Sequence, residues 1–148
     1  MSDPAPDLPR LFLACAPPDL KYAELIIAKA RHERLPLTFD SFMEGRSTDP
    51  VWQLECRRRI RAARALIAIV SARTRASPRA VWQVECARKA GVPVIGVSVA
   101  FEGDPALGPA APLDPDALLT WRWKTIASMM MRVAQADVAA AKTGAPRP

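Results

Sequence analysis

Apolar residues along the chain form short continuous runs that alternate with segments of helical periodicity. Short apolar runs bounded by turn residues are typical of buried strands, and longer segments with an apolar stripe are typical of amphipathic helices. The pattern predicts helices at 21–34, 51–64, 77–90 and 124–141, strands at 10–16, 35–42, 65–72 and 92–99, and a short edge strand at 117–121.

This order of elements predicts one α/β domain. Strands that are apolar throughout and alternate with helices belong to parallel sheets covered on both faces. We therefore expect a flavodoxin-like, doubly wound sheet of about five strands. The domain should span residues 10–141, between a disordered lead at 1–9 and a flexible tail at 142–148.

The predicted topology also indicates where a ligand binds. In doubly wound sheets, ligands bind beyond the carboxyl ends of the strands, at the point where the strand order reverses. Here that point lies near residues 14–19, after the first strand, and residues 71–79, after the third.

Composition narrows the class of protein. The 148 residues carry a formal net charge of +6, but much of it lies in the run RRRIRAAR at 57–64, which is typical of a solvated helix face. We therefore do not expect a nucleic-acid partner. The three cysteines are widely spaced, and the chain shows neither an apolar signal region at its start nor a run long enough to cross a membrane. We expect a cytoplasmic protein with reduced thiols and no membrane contact.

A hexapeptide occurs twice, as VWQLEC at 51–56 and as VWQVEC at 81–86. Structural zinc sites use closely spaced ligand pairs, whereas each cysteine of the repeat stands alone. We therefore predict no metal site. Two copies fall short of a repeat architecture, so the repeat indicates either a duplication or two helices that solve the same packing problem.

The two glutamates of the repeat have different surroundings. Glu55 is followed at i+3 and i+4 by Arg58 and Arg59, so we expect a surface ion pair. Glu85 lies at the edge of the apolar stripe of the helix that follows the third strand, beside Trp82. That helix forms one wall of the predicted binding cleft. The residues alone leave Glu85 open between a functional role and a helical carboxylate that pairs with neighbouring basic residues.

Several segments resemble the TIR-like family, which has the Toll/interleukin-1 receptor fold. VWQVECARKAGVPVIGV is similar to the family's W-V-x-x-E-I helix and the A-x-x-x-G-K-P-I-I-G-V segment that follows it. Three further segments stand where the family has known elements. The family's third strand corresponds to IRAARALIAIVSARTRAS, its first strand and loop to RLFLACAPPDLKYAELI, and its closing segment to TWRWKTIASMM. The resemblance spans residues 10–131 and is strongest to small bacterial TIR-like proteins of the Thoeris type.

The resemblance implies a TIR-type NAD⁺-processing enzyme in bacterial antiphage defence signalling. Such enzymes cleave the nicotinamide–ribose bond and release ADP-ribose, a cyclic ADP-ribose isomer or another ADP-ribosyl signal, with NAD⁺ as substrate and no cofactor. The family's catalytic glutamate corresponds to Glu85. The positions that correspond to substrate-binding residues are Ala16, Asp19, Glu44, Gly45, Arg46 and Ser71, to which we add Trp82, one position after the family's tryptophan. The expected partners are further copies of the chain, through TIR–TIR self-association, and a downstream effector that responds to the product.

Two alternatives stay open. A non-catalytic TIR-like interaction module would assemble through the loop at 43–50 and the basic helix. A nucleoside deoxyribosyltransferase-like N-glycosidic enzyme would share the fold class and use a glutamate nucleophile.

Overall fold

A computed structural model describes residues 8–42, 44–99 and 118–143 of the chain. The strands are β1 (Arg10–Ala14), β2 (Thr38–Asp40), β3 (Ala65–Val70) and β4 (Val94–Ser98), and the helices are α1 (Leu20–His32), α2 (Pro50–Arg61), α3 (Pro78–Lys89) and α4 (Trp123–Thr143). Two single-turn 3₁₀ helices, at Pro17–Asp19 and Thr74–Ala76, were not predicted from the sequence. Most of the predicted disordered lead and flexible tail lies outside the described residues.

The four strands form one parallel sheet in the order β2-β1-β3-β4. The prediction of an α/β fold with a parallel sheet is therefore confirmed. The chain moves from β1 to one side to form β2 and then returns to the other side to form β3. The strand order consequently reverses between β1 and β3, where a crevice opens in sheets of this kind.

The predicted fifth strand appears in the described residues as a single parallel bridge between Val97 and Leu119. The Ser98 amide donates to the Leu119 carbonyl at 2.8 Å, and the Leu119 amide donates to the Gly96 carbonyl at 2.8 Å. Pairing then ends because the backbone turns towards α4, with the Arg122 amide bonded to the Thr120 carbonyl. The described residues thus show four strands. Residues 100–117 lie outside the described part of the chain.

Side chains of the central strands alternate between the two faces of the sheet, as the period of a strand requires. Every residue of β3 is buried, which explains its continuous apolar sequence. One face packs on α1 and α4, through Leu11, Leu13, Ala23, Ile26, Ile67, Ile69, Ile126 and Met130. The other face packs on α2 and α3, through Phe12, Ala14, Trp52, Cys56, Ile60, Leu66, Ala68, Val70, Val84 and Ala87.

The helix boundaries follow capping chemistry. The Asp49 carboxylate accepts from the Val51 amide at 2.9 Å, and the Ser77 hydroxyl accepts from the Ala80 amide at 3.3 Å. Gly91 ends α3 with a φ of +75°, a left-handed conformation that glycine adopts without strain. No helix in the described part of the chain combines the length and apolarity needed to cross a bilayer.

Asp19 occupies the N-cap position of α1, but its side chain makes no capping hydrogen bond. The carboxylate is fully buried and accepts instead from the side chains of Ser71 and Arg73, which follow β3. A long-range contact therefore replaces the local cap.

The three cysteines are buried thiols. Burial disfavours the thiolate, so the pKa of Cys15 rises from the ordinary value of 9.0 to about 11 and that of Cys56 to about 12. Asp19 adds to the rise at Cys15, whereas the hydrogen bond from Gln83 opposes it at Cys56.

We expect stability to fall at alkaline pH because of these thiols. Above pH 9 the unfolded chain releases the Cys56 proton, whereas the folded chain keeps it until about pH 12, so rising pH favours unfolding. Urea unfolding of Cys56→Ala between pH 9 and 11 should show a fall that is shallower by up to about 1.4 kcal/mol per pH unit. Identical slopes for the variant and the wild type would contradict this prediction.

Candidate functional site

A cleft of about 620 Å³ opens at the carboxyl ends of β1 and β3. Three segments line it: residues 16–18 after β1, residues 45–48 before α2, and Arg73 with residues 76–79 after β3. We call it the edge cleft. It lies where the strand order reverses, the position at which the sequence predicts a ligand.

The edge cleft is positively charged. Its described lining includes Arg46, Arg73 and Arg79 and contains no Asp or Glu. The first residues of α3 also face it, so the positive end of the helix dipole adds to the field. The combination favours an anionic ligand.

Beneath the cleft, a buried carboxylate joins β1 to β3. The Ser71 hydroxyl donates to Asp19 Oδ2 at 2.5 Å, and Arg73 Nη1 lies 3.3 Å from Asp19 Oδ1. Asp19 is fully buried, whereas the Arg73 side chain is 60% exposed. The ion pair therefore joins a buried carboxylate, Asp19, to an arginine that lines the cleft, Arg73.

The turn after β3 is fixed by side-chain hydrogen bonds. The Ser71 amide donates to Thr74 Oγ1 at 2.9 Å, and that hydroxyl lies 3.3 Å from the Ile69 carbonyl. The Arg73 amide donates to Ser71 Oγ at 3.0 Å. These hydrogen bonds therefore fix the backbone position from which the Arg73 side chain extends.

The loop at residues 44–48 is seated on Trp52. Gly45 has a φ of +86°, and a Cβ at this position would overlap the indole of Trp52. That indole stacks on the Phe42 ring, with 5.8 Å between the ring centroids, and meets the Trp82 ring edge-on, with 5.1 Å between the centroids. Its Nε1 is buried and has no hydrogen-bond partner among the described residues.

The repeated hexapeptide anchors the same loop. Gln53 of the first copy donates to the Ser47 carbonyl at 2.6 Å. Gln83 of the second copy is buried and donates to the Phe42 carbonyl at 3.0 Å. The two glutamines thus tie the two ends of the loop to α2 and α3, which supports the packing explanation of the repeat.

The predicted substrate-binding residues fall into separate places. Ala16, Gly45 and Arg46 line the edge cleft. Asp19 and Ser71 lie buried beneath it and contact Arg73. Glu44 lines a different groove, against α1, together with Leu20, Ala23, Glu24, Ile27, Ser41, Phe42 and Arg59.

Glu85 and Trp82 lie outside the edge cleft. Glu85 is exposed, and both residues line a pocket of about 180 Å³ between α2 and α3, whose other lining residues are Arg57, Arg61, Cys86, Lys89 and Ala90. The physical reason is the length of α3. Glu85 is six residues beyond Arg79, which corresponds to about 9 Å along the helix axis. The structure therefore corrects the expectation that the position of α3 brings Glu85 to the cleft.

The predicted ion pair of Glu55 is confirmed. Its carboxylate contacts Arg58 Nη2 at 2.5 Å and Arg59 Nε at 3.1 Å. These two hydrogen bonds lower the pKa of Glu55 to about 2. The two glutamates of the repeat consequently have different environments, as the sequence indicates.

The sequence predicts a ligand near residues 71–79 but does not indicate that Arg73 and Arg79 face it. The stretch contains a third arginine, Arg75, which does not line the cleft. The spacing alone cannot tell which arginines face the cleft, because a 3₁₀ turn at Thr74–Ala76 sets their directions. Within the described residues, no group of three or more His, Cys, Asp or Glu side chains could hold a metal ion.

No protein-family model matches the chain, and no curated protein matches it. The candidate site is therefore defined by its own geometry.

Replacement of Gly45 by alanine should destabilise the loop of the edge cleft. Gly45 and Gly91 both have positive φ, so alanine at either position should cost about 1–2 kcal/mol of backbone strain. At Gly45 the new Cβ also overlaps Trp52, whereas at Gly91 nothing lies within 4 Å. Urea unfolding should therefore show a larger loss for Gly45→Ala than for Gly91→Ala, with a change in tryptophan fluorescence only for Gly45→Ala. Equal losses and unchanged fluorescence would argue against the described packing of this loop.

Proposed function

We propose that the protein binds NAD⁺ or a related nucleotide in the edge cleft and cleaves the nicotinamide–ribose bond, as a TIR-type enzyme. The observation that carries the proposal is an arginine-lined cleft at the reversal of strand order in a parallel sheet. In this proposal the sheet is flavodoxin-like, and the pairing of Leu119 with β4 marks the place of its fifth strand.

The edge cleft suits a nucleotide in size and charge. Its volume of about 620 Å³ lies within the range of sites that bind small organic ligands. Arg46, Arg73 and Arg79 offer planar donors, which match the oxygens of a pyrophosphate group. The N-terminus of α3 adds backbone dipoles of the same sign.

The proposed chemistry needs one carboxylate. Cleavage of the bond develops oxocarbenium character on the ribose, as in glycoside hydrolysis. A carboxylate near the ribose stabilises that cation, and nicotinamide leaves as a neutral molecule, so no general acid is required. We assign this role to Glu85, the residue to which the family resemblance points.

Because Glu85 lies outside the edge cleft, the proposal requires a site shared between copies of the chain. A substrate held by the arginines of one copy would reach the Glu85 of a neighbouring copy in a TIR–TIR assembly. Glu85 is exposed, which such sharing requires. The product would be ADP-ribose, a cyclic isomer or another ADP-ribosyl signal for a downstream effector in antiphage defence.

The decisive experiment compares the two glutamates of the repeat. NAD⁺ is incubated with wild type, Glu85→Gln and Glu55→Gln over a range of protein concentrations, and products are identified by mass spectrometry. We expect Glu85→Gln to lose at least about 100-fold in nicotinamide release, because the electrostatic stabiliser is gone. Glu55→Gln, which removes a surface ion pair, should stay within about twofold of wild type. The rate per molecule should rise with concentration if the site is shared.

Undiminished turnover by Glu85→Gln would refute the assignment of that residue. Release of free base from deoxynucleosides, in place of nicotinamide from NAD⁺, would instead identify a nucleoside deoxyribosyltransferase-like enzyme.

A second candidate function is a non-catalytic TIR-like interaction module. The observation that favours it is the exposed side of α2, where Val51 and Leu54 are 75% and 67% exposed. Large apolar side chains at such exposure are available for contact with a partner. Self-association that Leu54→Ser weakens, without turnover of any dinucleotide, would support this function over the enzyme.

A further inference from the structure

We infer that Asp19 and Ser71 are positioning residues that hold the Arg73 guanidinium as a fixed receptor for a phosphate group of the ligand. The inference rests on the proposed function in one respect, namely that the edge cleft binds an anionic nucleotide. It assigns Asp19 and Ser71 a role through Arg73, in place of direct contact with the substrate.

Asp19 is completely buried beside the edge cleft. A carboxylate that is fully buried is costly unless it is paired and hydrogen-bonded. Both of its oxygens are used: Oδ2 accepts from Ser71 Oγ, and Oδ1 lies 3.3 Å from Arg73 Nη1. The carboxylate therefore has no exposed surface with which to contact a ligand.

Arg73 is held at two points. Its backbone amide donates to Ser71 Oγ at 3.0 Å. Its guanidinium contacts the Asp19 carboxylate, which also accepts the hydrogen bond from the Ser71 hydroxyl. One Nη1 contact uses a small part of a guanidinium that carries five N–H donors. The side chain is 60% exposed and lines the edge cleft, so the remaining donors are available to a ligand there.

A long side chain that is ordered before the ligand arrives loses less conformational entropy on binding. A guanidinium held in one plane can offer two parallel hydrogen bonds to a phosphate. Asp19 thus contributes geometry, although its negative charge opposes an anion.

Because the Asp19 charge opposes an anion, the direction in which Asp19→Asn changes the affinity for an anion separates two roles of this residue. If Asp19 acted only through its charge, Asp19→Asn would make the cleft more positive and would strengthen anion binding. If Asp19 positions Arg73, the same nearly isosteric change loosens the guanidinium and weakens binding.

The experiment is calorimetric titration with ADP-ribose, which contains the pyrophosphate but no nicotinamide–ribose bond to cleave. Arg73→Gln should weaken binding about 10-fold to 100-fold, the usual effect of removing a charged hydrogen-bond donor. Arg75→Gln is the matched control, because it removes the same charge from the same turn at a position outside the cleft lining. It should change the affinity by no more than about twofold.

Asp19→Asn and Ser71→Ala should each weaken ADP-ribose binding several-fold. In an Arg73→Gln background, neither change should have a further effect, because both act through Arg73. Circular dichroism and thermal unfolding of every variant show which ones are folded. If Asp19→Asn does not fold, Ser71→Ala alone and combined with Arg73→Gln completes the cycle.

Tighter binding by Asp19→Asn, or equal losses for Arg73→Gln and Arg75→Gln, would overturn the inference. So would wild type that does not bind ADP-ribose. Binding that depends on Arg73, in a protein that does not cleave NAD⁺, would refute the enzymatic proposal and uphold this one.

Discussion

The parallel pairing of β1 with β3 at the centre of the sheet is the constraint on which the rest of the structure depends. Residues Leu11 to Ala14 pair with Ala65 to Ala68 in register, and all of them are buried. Because both strands end at the same edge of the sheet, the chain after β1 meets the chain after β3. That meeting creates the edge cleft, and it brings the Asp19 carboxylate into contact with Ser71 and Arg73, which are 52 and 54 residues away in sequence.

The loop before α2 closes the cleft on its other side, and the repeated hexapeptide explains how it is held. Gln53 donates to the Ser47 carbonyl within this loop, and Gln83 donates to the Phe42 carbonyl just before it. The tryptophans of the two copies contact each other edge-on. The glutamates of the two copies take no part in these contacts. Glu55 enters ion pairs, and Glu85 lies in the basic pocket between α2 and α3. The repeat is therefore a solution for packing, and any catalytic role of Glu85 is separate from it.

The sequence was most informative where structure is local. The continuous apolar run of β3 predicted a buried strand, and Ser77, Asp49 and Gly91 marked helix ends because capping depends on adjacent residues. It was least informative where distant segments meet. Nothing in the local pattern around Asp19 indicates that its carboxylate contacts Ser71 and Arg73 after β3. Glu85 was expected at the cleft because α3 begins there. The residue lies about 9 Å further along the axis of α3 than Arg79, which lines the cleft. The choice of Arg73 over Arg75 depends on a 3₁₀ turn that periodicity does not show.

We propose that a nucleotide binds in the edge cleft. The most direct test follows the backbone amides by ¹⁵N–¹H NMR during titration of the wild-type chain with NAD⁺. Binding in the edge cleft should give the largest shift changes at Arg46, Arg73 and Arg79, around the cleft. Changes confined to Arg57, Trp82 and Lys89 would place the ligand in the pocket between α2 and α3 and would contradict the claim.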